Sequence, residues 1–245
     1  MQSRILVNGA FGKMGSLASE TLNNHPKFHL VAKLGRQDDL AGAIVAHKAE
    51  IVLDLTTAES VFENALTIIS QNAHPVIGTS GLTGSQIEHL QALCQEKGLG
   101  GIIVPNFSIA AVLMMRFASI AARYFPEAEI IEAHHQQKLD APSGTALKTA
   151  DLIADARYRE KKQLRLKELL PGARGAIHRD VSVHSIRLPG FLARQEVIFG
   201  QPGETLTITH NSIDRASFMP GVILACLRVK ELERLYYGLE HLLDD

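Results

Sequence analysis

Along the first hundred residues the apolar positions fall into short runs: Ile5-Leu6-Val7, Phe28 to Leu34, Ile51 to Leu55, Pro75-Val76-Ile77 and Ile102-Ile103-Val104. Alternation of such runs with helical stretches predicts parallel βαβ units, with helices packed on a central sheet. Helix starts are marked by Ser60 ahead of Val61 to Ile69, and by Ser85 three residues before Glu88, ahead of Leu90 and Leu93. After Asn106 the pattern changes. A long apolar helix over Ile109 to Tyr124 leads to a strand, Ala128 to His135, and a polar loop whose end, Ser143-Gly144-Thr145, opens a helix to about Arg159. A basic connector (Lys161 to Lys167) and a Pro171-Gly172 break follow. Alternating stretches at Val181 to Leu188, Gln195 to Phe199 and Thr205 to His210 then predict strands, the last two joined in a hairpin by Gly200 to Gly203. The final segment, Ala216 to about Leu235, reads as largely helical. The fold class is α/β: an N-terminal Rossmann-like unit and a second, α+β mixed-sheet domain over residues 106–215.

Composition narrows the function classes. With 46% hydrophobic and 21% charged residues the chain is not disordered, and 25 basic against 26 acidic residues leave a net charge of -1, too little to gather nucleic acid or anionic lipid. The two cysteines, Cys94 and Cys226, are far apart and show neither zinc-site spacing nor a disulfide framework, which fits a reducing, cytoplasmic compartment. The most apolar stretch, Ile109 to Met115, stops at Arg116, short of the roughly 18 residues of a membrane span. Met1 leads into Ile5-Leu6-Val7 without the basic leader and apolar core of an export signal, so export is not expected.

Candidate chemistry begins directly after the first apolar run. Gly9-Ala10-Phe11-Gly12-Lys13-Met14-Gly15 stands between a strand and a helix, where glycines permit a tight turn and let backbone N–H groups approach a pyrophosphate at a helix N-terminus. Its G-x-x-G-x-x-G spacing differs from the usual G-x-G-x-x-G and also suits a plain strand-to-helix turn. Gly78-Thr79-Ser80-Gly81 and Pro105-Asn106-Phe107-Ser108 fall at strand ends, the edge where open α/β sheets bind ligands, although a simple βα turn accounts for the first equally well. Asp54-Leu55-Thr56-Thr57 suits a helix cap or a ligand contact.

The richest stretch is Glu132-Ala133-His134-His135-Gln136-Gln137-Lys138-Leu139-Asp140-Ala141-Pro142-Ser143-Gly144-Thr145-Ala146. Adjacent histidines point to opposite faces if the strand continues through them, which disfavours a metal pair. His134 and Lys138 can converge in the loop, one offering a proton near neutral pH and the other a fixed positive charge. Ser143-Gly144-Thr145 adds backbone donors at a helix start. Together they suggest an acidic small molecule, while a polar loop with a capped helix explains Asp140 to Thr145 without any ligand.

Taken in order, the glycine loop, the Gly78 and Pro105 loops, the Glu132 to Ala146 block, and His210 with Arg215, Phe218 and Gly221 resemble the 4-hydroxy-tetrahydrodipicolinate reductase family, also called dihydrodipicolinate reductase, over nearly the whole chain. The resemblance implies reduction of a cyclic dicarboxylate to tetrahydrodipicolinate in diaminopimelate and lysine biosynthesis, with NADPH or NADH and no metal. It implies His134 as proton donor and Lys138 as its catalytic partner, with His135, Gly144 and Thr145 on the substrate carboxylates. Gly9, Ala10, Phe11, Gly12, Lys13 and Met14 would hold the pyrophosphate, Gly78, Thr79 and Ser80 the nicotinamide ribose side, and Val104, Pro105, Asn106 and Phe107 the nicotinamide end. It further implies that residues 216–245 return to a dinucleotide-binding domain formed by 1–105, that 106–215 bind substrate and mediate a homotetramer, and that the domains close on ligand.

The chain departs from the family pattern at the end of the second strand, where Gly35-Arg36 stands in place of an acidic residue before arginine, and the stretch from Arg36 to Ile51 is short. An arginine there accommodates a 2'-phosphate, so NADPH is expected to be preferred, with Asp38 and Asp39 as solvated loop charges. Two other classes fit parts of the sequence: a redox-sensing regulator that binds dinucleotide without turnover, for which no basic DNA-reading helix is evident, and a Schiff-base lyase using Lys138, whose loop is too polar to lower a lysine's basicity.

Overall fold

The computed structural model describes residues 2–157 and 167–243. The five early apolar runs form the parallel strands β1 (Ser3–Asn8), β2 (Phe28–Leu34), β3 (Ile51–Asp54), β4 (His74–Ile77) and β5 (Gly101–Ile103). Ile5, Leu6, Ile51, Leu53 and Ile102 are fully buried, as strands covered by helices on both faces require. The connections are α1 (Lys13–Asn23), α2 (Leu40–His47), α3 (Val61–Ser70) and α4 (Gly84–Lys97). The sheet order is β11-β5-β4-β3-β1-β2, where β11 is Leu235–Tyr237. Because β2 and β3 flank β1, the strand order reverses between β1 and β3, which places the ligand crevice of such sheets at the carboxyl ends of those two strands.

Several local expectations need correction. α4 starts earlier than the Ser85–Glu88 spacing suggested. Its cap is Thr83, whose hydroxyl accepts from the Gln86 N–H while the Gln86 side chain accepts from the Thr83 N–H. Ser60 precedes α3 as expected, but its hydroxyl turns toward Thr56 and Thr57 instead of capping the helix. The final helix, α7 (Met219–Arg228), stops well before Leu235. After a 3-10 turn at Val229–Glu231, Leu235 opens β11, which runs parallel to β5 with Leu235 opposite Gly101. Three residues are too few to show a strand period. The pairing also depends on Gly101, where a Cβ would come within 2.6 Å of the Leu235 side chain.

The second sheet runs β10-β9-β6-β8-β7, from β6 (Glu127–His134), β7 (Ala176–His178), β8 (Val181–Arg187), β9 (Ala193–Gln201) and β10 (Glu204–Ser212). β6 and β8 are parallel and the other pairs antiparallel, so the sheet is mixed. Short β7, mostly exposed, was not foreseen. Two helices cover the sheet: α5 (Ile109–Ala121), and α6 (Gly144–Ala156), which starts behind its Ser143 cap. Met114, Ala118, Ala146, Ala150 and Ile153 pack there on Ala128, Ile130, Val183, Val197 and Phe199. α5 ends at Ala121, before the expected Tyr124, and the chain leaves it through a turn over residues 122–124 ahead of Pro126. The expected end of α6 near Arg159 and residues 161–166 of the basic connector lie outside the described residues.

The chain divides into two compact units, Met1–Ile109 with Phe218–Asp245, and Ala110–Ser217. Among the described residues no helix is long and apolar enough to cross a membrane.

Candidate active site

In the first unit, β1 ends at Asn8 and Gly9 turns the chain with φ +80°, where a Cβ would lie 2.4 Å from the Leu55 carbonyl oxygen. A Cβ on Gly15 would lie 2.0 Å from the Gly9 oxygen, so the turn itself demands both glycines. Gly12 is different. Its Cβ would meet nothing closer than 3.5 Å, yet it caps α1 with no side-chain hydrogen bond, and the first turn carries no acidic residue. No side chain covers this helix start, and its first-turn N–H groups and positive dipole end favour an anion. This cradle fits the pyrophosphate of a dinucleotide. Phe11, 71% exposed, lies against Gly35, where a Cβ would meet the ring at 3.0 Å.

The crevice floor is organised by Asp54, which is fully buried at the end of β3. Its carboxylate accepts from Asn8 Nδ2 (2.9 Å), Asn64 Nδ2 (2.9 Å), Thr56 Oγ1 (2.7 Å), Thr79 Oγ1 (2.8 Å) and the Thr56 N–H (3.3 Å). It is neither a helix cap nor an open ligand contact; it ties the ends of β1, β3 and β4 together. Thr79 belongs to this knot, because its hydroxyl also accepts from the Thr56 N–H at 2.8 Å. Gly78 lies beneath Phe107, whose ring would be 2.5 Å from a Cβ at 78, so the loops after β4 and β5 are locked together. Val104 is buried in the same place, while Pro105 and Ser80 are exposed.

At the end of β2 the two aspartates are exposed loop residues, as expected, and each also holds a backbone N–H. Asp38 folds back to accept the Gly35 N–H at 2.7 Å, and Asp39 caps α2 by accepting from the Gly42 N–H at 3.1 Å. Arg36 is exposed beside them.

In the second unit, β6 ends at His134, so strand alternation does not extend to His135. Glu132, two residues earlier and fully buried, shares the face of His134. His134 Nδ1 lies 2.6 Å from Glu132 Oε2, and Arg187, opposite His134 in the parallel β6–β8 register, clamps both Glu132 oxygens at 2.9 and 2.8 Å. The Ser143 N–H donates to Glu132 Oε1 at 3.2 Å. Burial alone would raise the Glu132 carboxyl, but hydrogen bonds from His134, Arg187 and Ser185 hold it at about 2. Glu132 is therefore a carboxylate near neutral pH.

Lys138 Nζ binds both oxygens of Asp140 at 2.8 Å, and the Asp140 carbonyl accepts from Arg187 at 2.7 Å. His134 and Lys138 are thus joined through Glu132, Arg187 and Asp140. From sequence alone Glu132 and Asp140 carry no role, and Arg187 does not stand out. The available signal was a glutamate two residues before a strand-end histidine, since period 2 places both on one face. His135 Nδ1 is buried with no hydrogen-bond partner among the described residues. Gly144 opens α6, exposed, and a Cβ there would meet nothing within 4 Å, while Ser143 accepts from the Ala146 N–H at 3.2 Å. As at Gly12, nothing inside the protein requires this glycine. Thr145 is half-buried one residue further on.

The first unit has the sheet order and open glycine turn of a dinucleotide-binding domain, and the second carries a carboxylate-bound histidine. Residues 3–107 match the family described as dihydrodipicolinate reductase, N-terminus, and residues 110–243 its C-terminus; the chain belongs to the dihydrodipicolinate reductase family. It is 64% identical over 243 residues (99% of this chain, 100% of the relative) to 4-hydroxy-tetrahydrodipicolinate reductase of Legionella pneumophila strain Philadelphia 1, and 51% identical over the same shares to that of Coxiella burnetii strain RSA 493. Among solved structures, the dipicolinate-bound dihydrodipicolinate reductase from Paenisporosarcina sp. TG-14 superposes with a TM-score of 0.92 at 43% identity, covering 99% of this chain and 100% of that one.

Proposed function

We propose that the chain reduces 4-hydroxy-tetrahydrodipicolinate to tetrahydrodipicolinate in diaminopimelate and lysine biosynthesis, with His134 as proton donor. The observation that carries this reading is His134 bound through Nδ1 to an ionised, buried carboxylate, which leaves Nε2 as the proton-delivering atom. Lys138 is close by in the chain for a substrate carboxylate and for charge developing during reduction, exchanging its Asp140 partner for the ligand. Gly144, Thr145 and His135 complete the carboxylate seat, supported by the open backbone at Gly144 and the unpartnered His135 Nδ1.

In the first unit, Gly9 to Met14 hold the pyrophosphate, Gly78, Thr79 and Ser80 the nicotinamide ribose side, and Val104 to Phe107 the nicotinamide end. When bound, the reduced nicotinamide supplies the hydride. Arg36 suits a 2'-phosphate, so both coenzymes serve and NADPH is preferred, although the Asp38 carboxylate at Gly35 narrows the margin. No metal takes part in this scheme. Residues 1–105 with 216–245 are the coenzyme domain, and 106–215 the substrate and tetramer domain. A cytoplasmic setting suits Cys94 and Cys226, both buried and unpaired, with burial pushing the Cys94 thiol up to about 11 and Cys226 higher still.

The test is loss of reduced-nicotinamide absorbance on supplying the freshly generated substrate, with His134→Gln lowering turnover about 100-fold or more at unchanged coenzyme affinity. Turnover like the wild type in that variant removes His134 from the role. Sedimentation of the purified protein checks the tetramer.

A further inference from the structure

The second unit contains a charged pair that the reaction scheme does not yet use. Glu132 on β6 and Arg187 on β8 form a two-pronged ion pair whose side chains are 0% and 17% exposed, and one of its carboxylate oxygens also receives His134. Removing two charges from water is costly, and an apolar pair of similar volume would serve stability as well. What an apolar pair would not supply is a fixed acceptor at His134 Nδ1.

We propose that Glu132 and Arg187 are a positioning couple for the proton donor: Glu132 fixes the hydrogen on Nδ1 and Arg187 tempers how strongly Glu132 holds the imidazolium. The inference rests on the reading of His134 as donor. An ionised carboxylate only accepts hydrogen bonds, so Nδ1 must carry hydrogen in both the charged and the neutral ring. The charged ring then gives up its Nε2 proton and is left as one defined tautomer, with Nε2 bare and aimed away from Glu132. A free Glu132 carboxylate would hold the imidazolium tightly and slow its release of the proton. Arg187 lowers that hold by occupying both oxygens, and its further bonds to the Ile186 and Asp140 carbonyls keep it in place. The other charged groups gathered here are Lys138 and Asp140, which neutralise each other in the loop after β6. α6 presents the neutral Ser143 cap, with no acidic residue in its first turn.

The two members of the couple should therefore move the pH profile in opposite directions. In Glu132→Gln the imidazolium loses its carboxylate, so the alkaline limb of kcat shifts to lower pH by about one unit and kcat at neutral pH falls about 10- to 100-fold, with substrate KM little changed. In Arg187→Met the carboxylate is no longer shared with a cation other than His134, and the limb shifts to higher pH. Nitrogen NMR of the histidine ring should show neutral His134 as the Nδ1–H tautomer in wild type and a mixture in Glu132→Gln. If either single variant fails to fold, the Glu132→Gln/Arg187→Met double variant removes both charges together. Its tautomer signal then decides: a mixture supports the couple, and a retained Nδ1–H form overturns it. Limbs that stay in place, or move together, in variants that fold also overturn it and leave the pair a structural clamp. Wild-type turnover in His134→Gln would instead overturn the donor reading, so the two failures are distinct.

Discussion

The start of α1 and the start of α6 are both helix N-termini with a glycine in the first positions, yet they are built on opposite plans. At α1 the chain supplies no capping side chain and no acidic residue, so the seat is bare backbone. At α6 the Ser143 hydroxyl caps the helix, and the Ser143 N–H is bound to the buried Glu132 carboxylate. The first plan suits an anion that stays charged and unaltered throughout, as a pyrophosphate does. The second sets a buried carboxylate and its histidine partner beside the helix start. The two starts thus differ in what they offer: bare backbone at α1, ionisable side chains at α6.

That contrast can be broken by substitution. The largest effect is expected from Lys138→Ala, which should lower kcat/KM for the dicarboxylate about 100- to 1000-fold while coenzyme KM stays near wild type; a defect confined to coenzyme affinity would assign Lys138 to the first unit's chemistry. Next comes acid stability. The Glu132 carboxyl sits at about 2 when folded against 4.5 as its ordinary value, so its contribution is complete above about pH 4.5 and is lost as pH falls toward 2. The loss is of order 3 kcal/mol. Denaturant unfolding of wild type and the Glu132→Gln/Arg187→Met variant between pH 5 and 3 should show stability falling more steeply in wild type, and equal slopes would contradict the ion-pair account. Smaller, and sharper for the comparison, is a crossed pair. Gly12→Ala should raise coenzyme KM about tenfold with little change for substrate, and Gly144→Ala the reverse; the melting temperature should hold in Gly144→Ala and fall by about a few degrees in Gly12→Ala, where alanine is the poorer cap although its Cβ meets no clash. Smallest is Arg36→Ala, which should weaken NADPH severalfold more than NADH; equal losses in kcat/KM for the two would remove Arg36 from phosphate recognition.

The sequence disclosed these two plans unequally. The β1 to β5 strands were legible because each is a short, mainly apolar run between helical stretches, and the glycine loop because strand, glycines and helix are adjacent in the chain. The knot at Asp54 was not, because its donors Asn8, Asn64 and Thr79 lie on separate elements. Arg187 was hidden for the same reason: it meets Glu132 only through the parallel pairing of β6 with β8. The Thr83 cap was misplaced onto Ser85 because both carry a hydroxyl with a polar residue three positions on, and only packing chose between them. β11 and β7 are three residues each, too short for periodicity to speak.

The pairing of β11 with β5 also bears on how the protein is made. The edge of the first sheet is closed by residues translated after the whole of the second unit, so a ribosome-bound chain can present β1 to β5 in order and still have β5 open on one side. During that interval the backbone of Gly101–Ile103 is available to any passing strand. The second unit, continuous in sequence, has no such wait. In order of synthesis, the first sheet gains its last strand only after the second unit has been made.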